Sequence, residues 1–275
     1  MIDINEFNKP DRNIVVTGIV RSGTSLLSSL LCKIPNCYCF NEIFYSLDKL
    51  PAHLAEARYK IKFGLPVPNK YKDGKLTTNT MQGEAVEKYV LKGDYDENVV
   101  LGSNVNFPYI NSINFILDYL GYHIISVVRN PIYAIASWNS DRCNQIAAHN
   151  LMQVQQRFFH VPFTKNTNVG RQVELWIYYF RVLYSLYNAR IIALCKYEDL
   201  VNDPNSYLEN FCIRYKLEKP VFPKLESCNV ESRYDFDLNE IRKEFVSQLN
   251  GKPEIKKWFQ KIGYYSSLVL SKNEL

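Results

Sequence analysis

One segment near the amino terminus constrains the fold more than any other, because it joins an apolar strand to a helix through a short loop. The strand is the run from Asn13 to Thr17, and the apolar helix starts at Thr24. The loop between them has the spacing GxxxxG-Thr-Ser, from Gly18 to Ser25. Backbone N–H groups of such a loop, with the first turn of the helix, can surround an anion. The segment therefore predicts a phosphate-binding loop after the first strand.

The rest of the chain alternates apolar runs with helical patterns. The predicted strands run from Asn13 to Thr17, Asn98 to Leu101, His123 to Val128 and Arg190 to Leu194. The predicted helices run from Thr24 to Lys33, Leu47 to Lys62, Met81 to Leu91, Ile110 to Leu120, Ile132 to His149 and Arg171 to Asn188. Continuously apolar strands are typical of parallel sheets covered on both faces. The predicted fold class is α/β, with a P-loop-like central parallel sheet flanked by helices on both faces. We expect loops from Phe63 to Thr80 and an irregular flap from Pro220 to Gly251.

Composition indicates an ordinary globular protein, with 47% hydrophobic and 22% charged residues. No long Gly/Ser/Pro linker divides the chain, so we expect a single domain over residues 1–275. No apolar run approaches the roughly 18 residues of a membrane span, and the amino terminus lacks a signal-peptide pattern. The net charge of +5 is spread without a Lys/Arg block, which argues against a nucleic-acid partner. The sequence makes no prediction of oligomeric state.

The cysteines and histidines favour a reducing compartment and no metal site. The seven cysteines are an odd number and form no CxxC pair. Several of them, such as Cys195, lie in apolar segments where a thiol packs as a small hydrophobe. The four histidines show no ligand spacing, so the pair Cys37 and Cys39 has no second half of a zinc site. We therefore expect a cytoplasmic location and no bound metal.

The phosphate loop lacks the parts that a nucleoside triphosphatase needs. Such an enzyme would carry Lys where Thr24 stands, whereas the cation here is Arg21, three residues earlier. A magnesium-holding Asp is also missing, since the predicted strand from His123 to Val128 leads into Arg129. The loop therefore suits a phosphate-like group without magnesium. The alternative is a surface turn whose Thr and Ser cap the helix.

Arg129 begins a second motif with the features of an anion site. Asn130 is a natural N-cap and Pro131 a natural first helical residue, so a helix starts directly after the strand delivers an arginine. Ser137 lies roughly 9 Å further along the helix axis, within reach of a ligand group that a long arginine side chain also holds. The alternative for Ser137 is a serine that bonds back to its own helix.

Together these motifs resemble the nucleotide site of the sulfotransferases that use 3′-phosphoadenosine 5′-phosphosulfate (PAPS). The likeness is closest to the tyrosylprotein and carbohydrate branch, whose phosphosulfate loop reads Arg-Ser-Gly-Thr-Thr/Ser-Leu. The resemblance implies that PAPS is bound by Arg21, Ser22, Gly23, Thr24 and Ser25, that its 3′-phosphate is bound by Arg129 and Ser137, and that Tyr197 and Lys257 lie near the nucleotide. For Lys257, a solvated helix face is an equal alternative, and Arg142 is a further candidate for the 3′-phosphate.

The resemblance also implies a catalytic carboxylate. Glu42 stands at the chain position where the tyrosylprotein branch carries its catalytic Glu, so Glu42 is the expected general base and Arg21 the expected stabiliser of the leaving phosphate. The alternative for Glu42 is a helix-start glutamate or an ion-pair partner. One departure is Asn104, near which many family members carry Lys; either the amide substitutes or another cation enters.

The implied function is transfer of the sulfuryl group from PAPS to a hydroxyl or an amine of a small metabolite or a carbohydrate. The product nucleotide would be adenosine 3′,5′-bisphosphate (PAP), and no metal would take part. Two alternatives stay open: an inactive protein that only binds PAP or PAPS, and a P-loop kinase of small metabolites that requires ATP and magnesium.

Overall fold

A computed structural model describes residues 4–44, 46–68, 71–72, 75–76, 88–91, 95–106, 109–110, 112–139, 163–227, 229 and 237–268. The strands are β1 Asn13–Gly18, β2 Cys37–Asn41, β3 Val67–Pro68, β4 Tyr71–Lys72, β5 Lys75–Leu76, β6 Lys88–Tyr89, β7 Val100–Asn104, β8 His123–Val128 and β9 Ala193–Lys196. Five of them form one sheet in the order β2-β7-β1-β8-β9, and β1 pairs in parallel with both β7 and β8. The strand that leads into the phosphate loop therefore lies in the middle of the sheet.

Ten helices are described in addition to short 3₁₀ turns at Ile4–Phe7 and Pro10–Arg12 and a π-helical turn at Ile116–Leu120. They are α1 Thr24–Leu31, α2 Leu50–Lys62, α3 Ile113–Phe115, α4 Pro131–Trp138, α5 Asn168–Asn188, α6 Tyr197–Asn202, α7 Pro204–Tyr215, α8 Leu238–Leu249, α9 Pro253–Lys261 and α10 Tyr265–Leu268. The observed starts of α1 and α4 lie at or next to the predicted ones.

Helices cover both faces of the sheet at β1. Side chains alternate along a strand, so Ile14 and Val16 of β1 point to the face opposite that of Asn13. Ile14 and Val16 belong to a buried cluster with Leu27 of α1, whereas Asn13 accepts a 2.8 Å hydrogen bond from Arg58 of α2. All six residues of β1 are buried. The α/β class with a helix-flanked parallel sheet is confirmed.

The chain divides into two compact units. The first comprises Met1–Val127 and Ile192–Leu225, and its core includes the cluster between β1, β2, β7, α1 and α7. The second comprises Val128–Ile191 and Glu226–Leu275. Its core is aromatic: the ring of Trp176 lies 5.1 Å from that of Phe180, 5.9 Å from that of Phe245 and 5.4 Å from that of Phe259. A single domain over 1–275 stays a prediction.

Several predicted elements were wrong. The strand β2 was not predicted, because its residues mix cysteines, aromatic rings and an asparagine. Within the predicted helix from Met81 to Leu91, Lys88–Tyr89 forms a strand. The predicted irregular segment from Pro220 to Gly251 contains α8, which packs against α5. The last strand starts at Ala193 rather than Arg190, whose backbone φ is +59°.

No helix among the described residues combines the length and the apolar character that a membrane crossing requires.

Candidate functional site

The loop between β1 and α1 has the backbone geometry of an anion cradle. Arg21 and Gly23 both have positive φ, of +65° and +98°, and the N–H of Ser22 donates to the carbonyl of Ile19 at 3.0 Å. Successive residues of this kind turn their N–H groups to one side of the chain. The helix α1 then begins at Thr24 without a side-chain cap. The amide N–H groups of its first turn therefore have no earlier residue of the helix as an acceptor. They lie at the positive end of the helix dipole.

Close packing explains why the loop requires glycine. A Cβ atom at Gly23 would lie 2.6 Å from the Cδ2 atom of Tyr197, and a Cβ at Gly18 would lie 2.4 Å from the carbonyl oxygen of Val127. Real Cβ atoms do not approach neighbours this closely, so both positions exclude any larger residue. Tyr197 is buried and is the first residue of α6. The structure thus places Tyr197 directly against the phosphate loop.

Asparagine side chains at or just beyond the ends of the neighbouring strands contact the first two hydroxyl groups of α1. Thr24 Oγ1 donates to Asn106 Oδ1 at 3.0 Å, and Asn41 Nδ2 donates to Ser25 Oγ at 3.4 Å. Asn104 Nδ2 in turn donates to Asn41 Oδ1. Asn41 and Asn104 are register partners at the last position of the β2–β7 ladder. A row of neutral amides therefore occupies the edge of the sheet where the resemblance led us to expect a lysine.

Two buried polar atoms beside the loop have no hydrogen-bond partner in the described part of the chain. They are Ser22 Oγ and Asn104 Oδ1, and both residues are fully buried. An unsatisfied buried polar atom costs free energy. Ser22 lies in the loop itself, and Asn104 is the last residue of β7 at the adjoining edge of the sheet.

Glu42 directly follows the last pair of the β2–β7 ladder. Its N–H donates to the carbonyl of Asn104 at 2.8 Å, which extends the parallel pairing by one bond. Its backbone then turns into the left-handed region, with φ of +52°, and its side chain is half-buried. Carboxyl ends of parallel strands meet at one edge of a sheet. Glu42, Ser25 and the phosphate loop therefore share that edge.

The second predicted anion motif lies in the second unit. Arg129 is buried, with 6% of its surface exposed, and its Nε donates to Asn229 Oδ1 at 2.6 Å. Asn130 caps α4 by accepting from the N–H of Ile132 at 3.0 Å, and Pro131 is the first helical residue. Ser137 is buried near the end of the same helix. The predicted cap and helix start are confirmed.

A polar chain holds this helix start in place. Asn130 Nδ2 donates to Ser267 Oγ at 2.8 Å, and Ser267 Oγ donates to the carbonyl of Tyr264 at 2.7 Å. At the other end of α4, the side-chain amides of Asn139 and Gln172 exchange two hydrogen bonds of 2.9 and 3.0 Å. Both ends of the helix that carries Ser137 are therefore fixed by side-chain bonds.

The remaining predicted site residues are Lys257 and Arg142. Lys257 is exposed on α9, and its neighbour Lys256 lies 5.0 Å from the ring centre of Tyr265. Arg142 lies outside the described residues, as do the positions 140–149 of the predicted helix from Ile132. Among the described residues, no group of three or more His, Cys, Asp or Glu side chains could hold a metal ion.

The described cysteines are free and serve as core residues. Burial raises the pKa of Cys32 and of Cys195 to about 12, and burial likewise raises the pKa of Cys37 and Cys39 well above the ordinary value. A thiol with such a pKa stays protonated and makes a poor metal ligand. Cys143 and Cys228 lie outside the described residues.

Sequence reasoning missed three side chains that build these two regions. They are Asn41, Asn106 and Asn229. The available signal was a polar residue at the end of an apolar run. Asn106 lies a short distance after such a run, and Asn41 would have shown this signal if β2 had been predicted. Asn229 has no signal of this kind, because it is distant in sequence from Arg129.

Comparison with known proteins points to one family. The model of the Sulfotransferase family matches residues 13–220, which is more than half of the chain. Among curated protein sequences, none matches this chain.

Solved structures offer further likenesses. The chain is similar to a sulfotransferase from Alicyclobacillus acidocaldarius, with 14% identity, a TM-score of 0.44, and coverage of 90% of this chain and 95% of that one. It is similar to the sulfotransferase domain of the Synechococcus PCC 7002 olefin synthase, with 18% identity, a TM-score of 0.40, and coverage of 80% and 81%. It is also similar to mouse sulfotransferase SULT7A1 complexed with PAP, with 13% identity, a TM-score of 0.41, and coverage of 96% and 91%.

Proposed function

Because this chain belongs to the sulfotransferase family and is an enzyme of that kind, we propose that it transfers the sulfuryl group of PAPS to a small acceptor and releases PAP. The acceptor is a small metabolite or a carbohydrate, and the reacting group is a hydroxyl or an amine. The observation that carries this proposal is the uncapped start of α1, where amide N–H groups, two hydroxyl groups and Arg21 lie on one loop. Such a loop suits a phosphosulfate group, which carries several negative oxygens.

On the donor side, the chain stabilises the charge that develops as the sulfuryl group leaves. PAPS supplies an activated sulfuryl group whose leaving group is a phosphate oxygen. The loop N–H groups, the hydroxyl of Ser25 and the guanidinium of Arg21 would donate to the phosphate as it gains negative charge. The Thr24 hydroxyl would join them by exchanging its bond to Asn106 for one to the phosphate. Donors that are already oriented need no rearrangement during the reaction, which is the main source of their catalytic effect. Tyr197 would support the loop through its contact with Gly23.

On the acceptor side, Glu42 would remove the proton of the attacking hydroxyl. As the acceptor oxygen bonds to sulfur, the carboxylate gains that proton, and the bond between sulfur and the phosphate oxygen breaks with its electron pair on PAP. Proximity supports this role, because Glu42 lies at the same sheet edge as Ser25 and Asn41. A general base must lie within hydrogen-bonding reach of the proton that it accepts.

Arg129 and Ser137 would bind the 3′-phosphate, which distinguishes PAPS from ATP. Support comes from the burial of the arginine at a capped helix start and from its fixed position against Asn229. Arginine is suited to phosphate because its planar fork can donate two parallel hydrogen bonds. Lys257 is proposed as a further contact of the nucleotide.

Two measurements test the activity. In a thermal-shift experiment, PAP should raise the melting temperature, and ATP with magnesium should not; a ligand at 100 times its Kd stabilises by about 2.7 kcal/mol. The protein is then incubated with PAPS and an acceptor mixture of 4-nitrophenol, glucosamine and simple primary alcohols. Mass spectrometry should find an acceptor that has gained one sulfuryl group. Stabilisation by PAP without transfer to any acceptor would support the inactive binding protein, and stabilisation by ATP with magnesium alone would support the kinase.

The role of Glu42 is tested separately. Glu42→Gln should lower turnover by at least about 100-fold, within the range that proton transfer by a positioned side chain contributes, and should leave the Kd for PAP nearly unchanged. The matched control is Glu56→Gln, because Glu56 is exposed on α2 and pairs with Lys60. Full turnover in Glu42→Gln would remove Glu42 as the base without affecting the proposed nucleotide site.

We also propose a cytoplasmic location. The described cysteines are all free, which fits a compartment where thiols remain reduced.

A further inference from the structure

We infer that Tyr109 is a positioning residue that, with Ser103, holds Glu42 in its catalytic orientation. This inference rests on the proposed function, since it concerns the same carboxylate. The sequence motifs did not include Tyr109, and its hydroxyl group does not belong to the phosphate loop. Its contacts, all within the first unit, carry the argument.

The hydroxyl of Tyr109 forms a directed chain of hydrogen bonds. It lies 2.6 Å from the carbonyl oxygen of Phe44 and 2.7 Å from Ser103 Oγ. A carbonyl oxygen can only accept, so the phenolic proton must point at Phe44. Ser103 must then donate its own proton to the tyrosine oxygen. Tyr109 and Ser103 are fully buried, so water does not compete for these bonds.

The ring of Phe44 is also held. Its centre lies 4.9 Å from that of His53, with the two rings nearly parallel, and 4.9 Å from that of Phe40 in β2. Phe44 is 8% exposed. Both the backbone and the side chain of this residue are therefore fixed at a point two residues beyond Glu42.

The other side of Glu42 is fixed as well. Asn41 ends the β2–β7 ladder, and the N–H of Glu42 bonds to the Asn104 carbonyl at 2.8 Å. Ser103 and Asn104 are neighbours in β7, so their side chains point to opposite faces of the sheet. The side-chain amides of Asn104 and Asn41, which lead to the Ser25 hydroxyl, lie on the face of α1, and the hydroxyl chain through Tyr109 lies on the other. Glu42 is therefore held between anchors on both faces.

This arrangement explains how a glutamate keeps a left-handed backbone. With φ of +52°, Glu42 occupies a conformation that its Cβ atom disfavours, and such a residue persists only where its surroundings fix it. If the bond to Phe44 is lost, the short span from Glu42 to Phe44 can relax toward an extended backbone. The Cα–Cβ bond of Glu42 would then point elsewhere, and the carboxylate would leave the reacting hydroxyl. A displacement of about 1 Å in a reacting group can lower a rate by about 100-fold.

The test is Tyr109→Phe, which keeps the ring and removes only the hydroxyl. The rate is measured as PAP released from PAPS with the acceptor mixture of 4-nitrophenol, glucosamine and simple primary alcohols. We expect kcat to fall by about 10- to 100-fold, while the KM for PAPS and the Kd for PAP change by less than about threefold. The matched control is Tyr122→Phe, which removes a buried hydroxyl next to the amino end of β8 and should leave kcat unchanged.

Two further variants keep the inference falsifiable. Ser103→Ala removes the donor to Tyr109 and should lower kcat in the same selective way, by a smaller factor; it replaces Tyr109→Phe if that variant fails to fold. In a Glu42→Gln background, Tyr109→Phe should cause little additional loss, because both changes act on one group. An unchanged kcat in the folded single variants, a rise in the KM for PAPS instead, or a full additional loss in the Glu42→Gln background would overturn the inference.

Failure of the inference can be distinguished from failure of the proposed function. If Glu42→Gln retains full turnover, or if the wild-type protein transfers no sulfuryl group, the proposed function fails and the positioning role falls with it. If Glu42→Gln is inactive and Tyr109→Phe matches the wild-type protein, only the positioning role is wrong.

Discussion

Two helices of this protein start in a similar way but differ in how their first turn is capped. In both, a strand of the central sheet leads to an arginine and then to an apolar helix: Arg21 precedes α1, and Arg129 precedes α4. The first helix begins at Thr24, and Gly23 before it provides no side-chain cap, whereas Asn130 caps the second by accepting from the N–H of Ile132 at 3.0 Å. The first start therefore has no side-chain cap on its amide groups, and the second has one of them bonded to the Asn130 side chain.

In the proposed function, the two starts would bind two anionic groups by different means. At the uncapped start the backbone itself would be the binding element, so the conformation of the loop would determine the site. At the capped start the backbone is fixed, and the side chains of Arg129 and Ser137 would be the binding element. Substitutions should therefore act on the first site through backbone geometry and on the second through side-chain chemistry.

The largest expected effect is at the uncapped start. Gly23→Ala places a Cβ 2.6 Å from the Tyr197 ring in a backbone with φ of +98°. We expect a loss of about 1–2 kcal/mol from the backbone and about 1–3 kcal/mol from overpacking, measured by urea denaturation. PAP binding should also be lost. The control is Gly64→Ala, where φ is +63° and no atom lies within 4 Å, so only the backbone cost applies. Equal losses in the two variants would contradict the role of Tyr197.

The next effect is at the arginine of the capped start. Arg129→Ala should raise the Kd for PAP by about 10- to 100-fold, because hydrogen bonds to a charged group contribute about 1.5–3 kcal/mol. Isothermal titration calorimetry measures this change. Arg129→Lys keeps the charge without the planar fork and should restore only part of the affinity. Arg181→Ala serves as the control for lost charge, since Arg181 is exposed on α5. A wild-type Kd in Arg129→Ala would exclude a side-chain phosphate site at this helix.

The smallest expected effect is at the Asn130 cap itself. Asn130→Ala removes the side-chain acceptor for the N–H of Ile132 and the bond to Ser267, and should destabilise the protein by about 1 kcal/mol. Asn130→Asp can still cap the helix and should retain most of that stability. Thermal unfolding of the three proteins checks the order. If Asn130→Ala is as stable as the wild-type protein, the cap does not fix this helix start.

The sequence allowed both helix starts to be predicted but not their surroundings. The GxxxxG-Thr-Ser spacing and the Asn130-Pro131 pair are local signals, in which the residues that define the feature are neighbours in the chain. Asn41, Asn104 and Ser25 lie together only because the parallel register of β2 and β7 pairs Asn41 with Asn104. No local pattern encodes that register, and β2 itself was missed because its cysteines and aromatic residues show no clean strand pattern.

The amino-acid sequence by itself determined the strand–loop–helix unit, the capped helix start and the α/β class, because each depends on dihedral preferences and hydrophobic periodicity over a few residues. The side chains that pack against those units were set by the assembled fold. The contact of Tyr197 with Gly23, the bond of Arg129 to Asn229, and the hydroxyl chain from Ser103 through Tyr109 to Phe44 join residues whose pairing follows from sheet order and packing. Long-range contacts of this kind form only when the whole sheet assembles, so they leave no mark in the spacing of neighbouring residues.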